Sequence, residues 1–453
     1  MAAVSPLEVR FEVTHRFRPF DLIAPGFVGY DIVRPGAGPI DTGQSLAAPF
    51  GAVVLDVAAL EKGGSVSAGL VSGGSRVIGR YAAGTVEIDV DGHVVADAPA
   101  ELQAPYGFAV TVNGNMITVL AGAGETWRPL LTREQDRSDL RRPEVLAAYT
   151  LGFHSERASL ARARAGYFGQ VGVRDLHLVE HADGRPYLRD GKLFLTAGCA
   201  GMGFAQQAHW AVWALDPAAP ERMEQVAKLF FAHDGIVTGD NAGQIVYDEE
   251  RGRFVIVVCG GDLPEPGVYV RHAETTDDIL SGVHVIPNRV LPAPMSLSAW
   301  EPSIAKIGER WHIAFADVVQ LEPRLEFHPV LVASPQGGDY ADDLAVVAAD
   351  PSVRRTEGCV LHRFGGDWHL LATDDDDKCY RVYDLGLRQL ATLDAPYVEG
   401  GPHPQIVRVS RDEWMMITFA NVQYAEEVLG YGTEGDVVIM SASPPTRKGT
   451  PDV

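Results

Sequence analysis

One unit of sequence recurs five times after about residue 171. Each copy has a polar lead residue in a short approach strand, then a turn, then an apolar strand. The copies are RDLHLVEHADGRPYLRDGKLFLTAG, GDNAGQIVYDEERGRFVIVVCG, WEPSIAKIGERWHIAFAD, TEGCVLHRFGGDWHLLATD and GPHPQIVRVSRDEWMMITFAN. Repeats of this kind predict one four-stranded blade each in a five-bladed β-propeller. Because no long helical pattern separates the copies, the sequence argues against a parallel α/β fold, which needs crossover helices.

The lead residue of every copy is polar and able to ionise. The five lead residues are Asp175, Asp240, Glu301, Glu357 and His403. In a propeller the first strand of each blade lines the central channel, so these residues are expected to converge at one rim. Like charges held close together resist ionisation, which predicts raised pKa values for some of them. Carboxylates whose pKa values are pushed apart are what glycoside hydrolysis needs.

The chain before the repeats has a different pattern. Residues 1–126 contain short, alternating apolar runs with hairpin signals at Asp91-Gly92 and Asn113-Gly114, a pattern typical of a β-sandwich of the jelly-roll or lectin-like kind. Residues 127–170 are charged and rich in alanine, which predicts a helical linker. The expected fold is therefore all-β: a sandwich, the linker, and a propeller over residues 171–453 that carries the catalytic site.

Composition narrows the classes of partner. The 38 basic and 60 acidic residues give a formal net charge of −22, which argues against binding to nucleic acid. No apolar run reaches the length of a membrane span, and the first residues do not follow the pattern of a secretory signal. The four cysteines have no metal-binding spacing, and buried free thiols are the favoured interpretation. We therefore expect a cytoplasmic protein that binds neither membrane nor nucleic acid.

Further residues are candidates for shaping a substrate pocket. Trp300 directly precedes Glu301, and His209-Trp210 follows the glycine-rich segment GCAGMGFAQQ. Aromatic faces stack on sugar rings and polar neighbours bind hydroxyl groups. The alternative for each is packing in the core or between blades. Arg174 is a candidate for binding substrate, or phosphate if the enzyme is a phosphorylase.

At these residues the chain resembles the five-bladed propeller glycosidases of glycoside hydrolase family 43, over roughly residues 171–443. The resemblance implies a general base at Asp175, within VRDLHL, and a general acid at Glu357, within TEGCVL. Glu301, within WEPSI, would tune the pKa of the acid, and His403, within GGPHP, would lie at the centre. It also implies inverting cleavage of arabinofuranosyl, xylosyl or related units from oligosaccharides.

The sequence departs from that family at three of these motifs. The family has Asp-Pro where this chain has Asp175-Leu176, Glu-Gly-Pro where it has Glu357-Gly358-Cys359, and Asp where it has Glu301. With Glu301 at the tuning position, either the sugar sits differently or Asp240 performs the tuning. Two alternatives to a hydrolase also stay open: a glycoside phosphorylase on the same fold, and a carbohydrate-binding propeller without catalysis. No cofactor is expected to be required, although Ca²⁺ or Na⁺ at the propeller axis and assembly into a homo-oligomer are both compatible with the sequence.

Overall fold

The computed structural model describes residues 5–124, 126–260, 267–364, 366–425 and 434–442. Nearly every element is a strand, which confirms the all-β prediction. The strands of the first part are β1 (Glu12–Phe17), β2 (Asp21–Val33), β3 (Gly38–Asp41), β4 (Phe50–Val71), β5 (Arg76–Ala82), β6 (Thr85–Val90), β7 (His93–Pro99), β8 (Tyr106–Asn113), β9 (Met116–Ala123), β10 (Thr126–Glu134) and β11 (Thr150–Gln170).

The remaining strands follow without a long break. They are β12 (Val173–Leu178), β13 (Glu180–His181), β14 (Leu188–Arg189), β15 (Lys192–Cys199), β16 (His209–Leu215), β17 (Met223–His233), β18 (Ile236–Thr238), β19 (Asn241–Asp248), β20 (Arg253–Gly260), β21 (Tyr269–Thr275), β22 (Gly282–Pro287), β23 (Arg289–Val290), β24 (Ser298–Ile307), β25 (Arg310–Gln320), β26 (Glu326–Ala333), β27 (Ala345–Ala349), β28 (Val360–Phe364), β29 (Asp367–Asp374), β30 (Cys379–Tyr383), β31 (Gln389–Thr392), β32 (Gln405–Arg408), β33 (Trp414–Gln423) and β34 (Glu434–Ala442).

Helix is confined to short pieces. The described residues contain one α-helical turn, α1 (Pro143–Leu146), and two 3₁₀ turns at Pro6–Glu8 and Ala205–Gln207. None of the described helices is long and apolar enough to cross a membrane.

Strands β2 to β11 form a single ten-stranded sheet that folds back on itself. Its order is β10-β9-β8-β4-β5-β6-β7, and β11 pairs with β2, β3 and β4. The first part of β4 pairs with β8 and its last part with β5, so the long strand carries the chain from one half of the sheet to the other. Side chains of both halves, including Val77, Ile88, Val110 and Val119, share one apolar core. The assignment to a jelly-roll or lectin-like class stays a prediction.

The predicted helical linker is wrong. Most of residues 127–170 belongs to β10 and β11 of the ten-stranded sheet, so this sheet continues to Gln170 and does not end near residue 126. Buried and partly exposed residues alternate in this segment. Ala163 and Ala165 are fully buried, whereas Arg162 and Arg164 are partly exposed. That alternation has the period of a strand, and pairing with β4 overrides the helical propensity of alanine and arginine.

Five further sheets follow the ten-stranded one in the described part of the chain; we number them 1 to 5. The strand of each sheet that lies toward the centre of the ring is here called its first strand; these are β12, β19, β24, β28 and β32, respectively. Consecutive first strands contact one another from β12 to β28, and β32 contacts β12. Separate apolar cores fill the spaces between sheets 1 and 2, 2 and 3, 3 and 4, 4 and 5, and 5 and 1. The sheets are thus arranged like the blades of a propeller around the five first strands.

The N-terminal segment belongs to this ring and not to the sheet that follows it in sequence. Strand β1 pairs with β34, so sheet 5 has the order β1-β34-β33-β32. Val9 and Phe11, just before β1, are buried in the core between sheets 4 and 5. The predicted sandwich domain over residues 1–126 therefore needs a second correction, since its first residues complete the propeller-like part. The outer edge of β34 is paired by a segment far away in sequence, which no local pattern reveals.

The chain crosses the axis at the end remote from the lead residues. After β12, strand β13 pairs in parallel with β19 of sheet 2. The Lys306 amide of sheet 3 then donates to the Ala182 carbonyl at 2.7 Å, and Gly184 lies against the Trp368 ring of sheet 4. This segment therefore lies across the end of the ring that is remote from the lead residues.

Candidate active site

Three of the lead residues have an unusual backbone conformation. Asp175, Asp240 and Glu301 have φ values of 52°, 41° and 56°, in the left-handed region that side chains other than glycine rarely adopt. At or directly beside each of them, the pairing between the first and second strands of the sheet shifts register. A bulge of this kind redirects a side chain out of the ladder. Strained conformations repeated at equivalent positions are typical of functional sites.

The side chains of Asp175, Glu301 and His403 meet at one point. Their nearest ligand atoms all lie within 4.8 Å of one another. His403 Nε2 is 3.0 Å from Glu301 Oε2 and 3.7 Å from Asp175 Oδ1. All three side chains are buried. The structure therefore brings together residues from sheets 1, 3 and 5, as the repeat predicts.

The two carboxylate oxygens of Asp175 differ in their hydrogen bonding. The neighbouring Arg174 donates from Nε to Asp175 Oδ2 at 2.8 Å, and both side chains are buried. The second oxygen, Oδ1, has no hydrogen-bond partner among the described residues. Arg174 thus orients the carboxylate through Oδ2.

Glu301 and His403 form a buried ion pair. Burial favours the neutral form of Glu301, but the charge and hydrogen bond of His403 outweigh it and lower the pKa of this carboxyl. The Gly358 amide adds a donor to Glu301 Oε2 at 2.6 Å. Burial also opposes the charge of His403, yet Glu301 and Asp175 raise the pKa of its imidazole. Glu301 is therefore ionised and His403 protonated over the same range of pH.

Glu357 is in the opposite electrostatic state. Burial, followed by the negative charge of Glu301, raises the pKa of the Glu357 carboxyl well above its usual value, and Arg174 only partly offsets this. Thr373 fixes the backbone, since its hydroxyl accepts from the Glu357 amide at 3.1 Å and donates to the Glu357 carbonyl at 2.9 Å. Two carboxyl groups of the same site thus favour different protonation states, and Glu357 is the one that keeps its proton.

Two glycines make this close approach sterically possible. Both have positive φ, 62° at Gly358 and 66° at Gly401. A Cβ at Gly358 would lie 2.6 Å from His403 Cδ2, and a Cβ at Gly401 would lie 2.2 Å from Glu357 Oε2. The backbones of sheets 4 and 5 therefore serve as walls of the site, and no larger residue fits at either position.

Asp240 lies near this site, but both of its carboxylate oxygens accept hydrogen bonds from other residues. It accepts from the Thr238 hydroxyl at 2.8 Å and from the Asn288 amide at 3.1 Å. Burial raises the pKa of the Cys259 thiol, and the charges of Glu301, Asp175 and Asp240 raise it further. The thiol thus lies among three carboxylates. The same sulfur accepts a hydrogen bond from the Glu301 amide at 2.9 Å.

The other predicted pocket residues have different positions. His209 and Trp210 are fully buried: His209 contacts the Lys228 ammonium at 2.9 Å, and Trp210 lies in the core between sheets 1 and 2. The prediction that these two bind substrate is wrong, because Phe50 and Phe168 of the ten-stranded sheet pack against His209, and the core between sheets 1 and 2 encloses Trp210. Trp300 is half-buried against Phe327, and Arg174 acts on Asp175.

Sequence reasoning missed the residues that shape the site without ionising. Cys259 and Thr373 lie at the ends of apolar strands, and nothing in their surroundings in the sequence distinguishes them from core residues. The glycines did leave a signal. Gly358 directly follows Glu357, and Gly400-Gly401 precedes Pro402-His403, so a glycine lies within two residues of the lead residue in both sheets 4 and 5.

Comparison with known proteins finds likenesses among solved structures alone. No family model matches the sequence, and no curated protein does. A family 43 β-xylosidase/α-arabinofuranosidase from a compost microbial metagenome is 12% identical, with a TM-score of 0.41 over 58% of this chain and 91% of that one. An α-L-arabinofuranosidase from Podospora anserina is 9% identical, with a TM-score of 0.40 over 61% and 92%. At these values the likeness says nothing about individual residues, and the chemistry of the site rests on its own geometry.

Proposed function

We propose that the protein is a cytoplasmic glycoside hydrolase that removes an arabinofuranosyl, xylosyl or related unit from an oligosaccharide with inversion of configuration. The observation that carries the proposal is the geometry of one site, in which Asp175, oriented by Arg174, meets the ion pair of Glu301 and His403, and the peptide after Glu357 donates to Glu301. Glu301 is ionised by its contact with His403, and Glu357 retains its proton through burial and the charge of Glu301. A protonated and an ionised carboxyl in one pocket are the requirement for acid–base cleavage of a glycosidic bond.

Each group then has a role that its surroundings support. Glu357 donates its proton to the leaving oxygen as the glycosidic bond breaks. Asp175, oriented by Arg174, accepts at Oδ1 the proton of a water molecule whose oxygen attacks the anomeric carbon. Glu301 keeps the pKa of Glu357 high and touches neither reacting bond. After product release, Glu357 regains a proton from solvent and Asp175 loses one.

The first test is hydrolysis of aryl furanosides and pyranosides of arabinose, xylose, galactose, fucose and glucose by the wild type and by Glu357→Gln. Removal of the acid should lower kcat/KM by about 10²–10⁴-fold. The loss should be smallest for the best aryl leaving groups, which depart without protonation. Exposed Glu61 of the ten-stranded sheet gives a matched control, Glu61→Gln, with activity like that of the wild type. NMR of the first-released anomer reports inversion or retention.

Either alternative function would appear in the same experiment. If the wild type binds oligosaccharides and hydrolyses none of the panel, the protein is a carbohydrate-binding propeller. If turnover requires added phosphate, it is a phosphorylase. Three arginines, Arg174, Arg354 and Arg355, are candidates for a phosphate site, and each has a carboxylate partner: Asp175 at 2.8 Å, Glu326 at 3.6 Å and Asp375 at 2.7 Å, respectively. This favours water as the acceptor.

We also propose that a cation at the axis is optional. One ligand atom is available from each of Asp175, Glu301 and His403. A bound Ca²⁺ or Na⁺ would supply positive charge between the carboxylates. The proton on His403 already supplies such a charge, so cation and proton should compete. Ca²⁺ should therefore raise the midpoint of thermal unfolding more at pH 8 than at pH 5. An equal midpoint with Ca²⁺ and with EDTA at both pH values would remove the cation from the proposal.

A further inference from the structure

A second cavity lies at the junction between the ten-stranded sheet and sheet 5. Its volume is about 560 Å³, which is within the range of small-molecule sites. The residues that line it include Arg18, Phe20, Asp21, Trp127, Arg164 and Tyr424. Residues from both parts of the molecule contribute, so the cavity exists only because the two parts are packed together.

Three aromatic rings line this cavity, and the chain fixes each of them. The rings of Phe20 and Tyr424 are stacked, with centroids 5.0 Å apart and an interplanar angle of 22°. The Tyr424 hydroxyl donates to the Trp127 carbonyl at 2.5 Å.

The indole of Trp127 packs closely against two glycines, Gly107 and Gly122, that are paired across β8 and β9. A Cβ at Gly107 or Gly122 would come within 2.7 Å of the ring. Only glycine allows so close a contact, and the half-buried Trp127 lines the cavity. A planar aromatic ring held in place by such packing is suited to stacking on the apolar face of a sugar.

The polar side of the cavity holds one carboxyl and one guanidinium. Burial raises the pKa of Asp21 to about 6, and the charges of Arg164 and Lys228 oppose this. The Nε of Arg164 is buried and has no hydrogen-bond partner among the described residues. Arg18, by contrast, is engaged by Asp436 at 2.8 Å. Asp21 and Arg164 are therefore the groups that a ligand with several hydroxyls could satisfy.

Strand β33 of sheet 5 and the loop at Gly400-Gly401 link the cavity to the candidate active site. Tyr424 follows β33, and Asn421 near the end of that strand donates from its side chain to the Gly400 carbonyl at 2.9 Å. The next residue, Gly401, packs against the carboxyl of Glu357. The cavity and Glu357 thus lie at the same rim of the ring, joined through one loop.

We propose that this cavity is a distal subsite that binds sugar units of an oligosaccharide chain, with Trp127 as the stacking platform and Asp21 and Arg164 as the hydroxyl-binding groups. The inference deepens the proposed function and rests on it for the identity of the substrate. It predicts that affinity and kcat/KM rise with chain length until the cavity is filled.

The test measures binding and hydrolysis separately on the full chain. Calorimetric titration of Glu357→Gln, with and without Trp127→Ala, uses xylo- and arabino-oligosaccharides from disaccharide to hexasaccharide. Trp127→Ala should weaken the binding of the longest oligosaccharide bound by about tenfold, as expected for loss of a stacked aromatic ring, and should flatten the dependence on chain length. Arg164→Gln should do the same in case Trp127→Ala fails to fold. Phe204→Ala, which changes an exposed ring outside this cavity, is the matched control.

The outcomes separate the two claims. Hydrolysis of aryl glycosides with a chain-length dependence that neither variant alters would overturn the subsite and leave the proposed function standing. Length-dependent binding that both variants weaken, in a wild type without hydrolysis, would support the subsite and overturn the proposed function. Failure of every oligosaccharide in the panel to bind would overturn the subsite.

Discussion

Glu301 and Glu357 carry the same carboxyl group and differ only in what surrounds it. Glu301 contacts an imidazolium and a backbone amide, and its pKa falls. Glu357 is buried close to the charge of Glu301, and its pKa rises. The proton that the proposed catalysis needs is therefore held by an arrangement of neighbours and not by a special residue type.

This arrangement predicts a change in the pH profile when Glu301 is neutralised. Activity requires protonated Glu357, so kcat/KM should fall as pH rises through the raised pKa of this group. Glu301→Gln removes a negative charge that contributes to that pKa, while burial persists. The basic limb should therefore move to lower pH without reaching the usual range of a glutamate. Profiles of wild type and variant on one aryl glycoside measure the shift.

The control for that experiment is Glu309→Gln, which changes an exposed carboxylate in the same sheet, at the turn between β24 and β25. Its profile should match that of the wild type. A basic limb that stays in place in Glu301→Gln would show that Glu301 does not tune the acid.

At the scale of elements, the start of each first strand determines where a lead residue points. The bulges at the starts of β12, β19 and β24 redirect the acidic side chains, and sheets 4 and 5 use glycines to bring backbone close to side chain. The peptide between Glu357 and Gly358 has two roles, since it positions the acid and also donates its N–H to Glu301.

Gly358→Ala should therefore destabilise the site as well as the fold. The new methyl group would meet His403 Cδ2 at 2.6 Å in a left-handed conformation. We expect the free energy of unfolding to fall by about 1–2 kcal/mol from backbone strain and by about 1–3 kcal/mol more from overpacking. Denaturant titration measures the sum.

Gly308→Ala separates the two causes. Gly308 has nearly the same φ, 63°, and a Cβ there would meet no atom within 4 Å. The free energy of unfolding of Gly308→Ala should therefore fall only by the contribution of backbone strain. Equal losses of stability in the two variants would mean that Gly358 is required only for its backbone conformation.

At the scale of the whole molecule, the ring of sheets is completed by the two ends of the chain. Strand β1 pairs with β34, and Phe11 fills the core between sheets 4 and 5. Residues separated by almost the entire sequence thus belong to one sheet. A cut at the sequence-predicted boundary near residue 171 would remove a strand from sheet 5 and expose an edge.

Phe11→Ala tests this closure. Phe11 is fully buried, so truncation to alanine should lower the free energy of unfolding by about 3–5 kcal/mol. Val13→Ala, two residues later and 46% exposed, should change it by less than about 0.5 kcal/mol. Equal effects of the two substitutions would contradict a role for the N-terminal segment in the ring core.

Local pattern predicted a large part of this molecule. Alternation of apolar residues and the repeated unit indicated strands, and the lead residues Asp175, Glu301 and His403 do meet at one point. These predictions succeeded because strand period and repeat spacing are properties of consecutive residues. The alternation of Arg162, Ala163, Arg164 and Ala165 is compatible with a strand, but alanine and arginine favour helices. Pairing with β4 stabilises the strand over the helix.

The sequence by itself determined that the chain is all-β, that equivalent polar residues recur, and that they are mainly acidic. The tertiary structure alone decided which carboxyl is ionised, which residues are buried, and what closes the ring. His209 and Trp210 were placed in the core by the position of β16, and β1 found its partner at the other end of the chain. The reason is physical: pKa, burial and edge pairing depend on neighbours in space, which the order of residues along the chain does not specify.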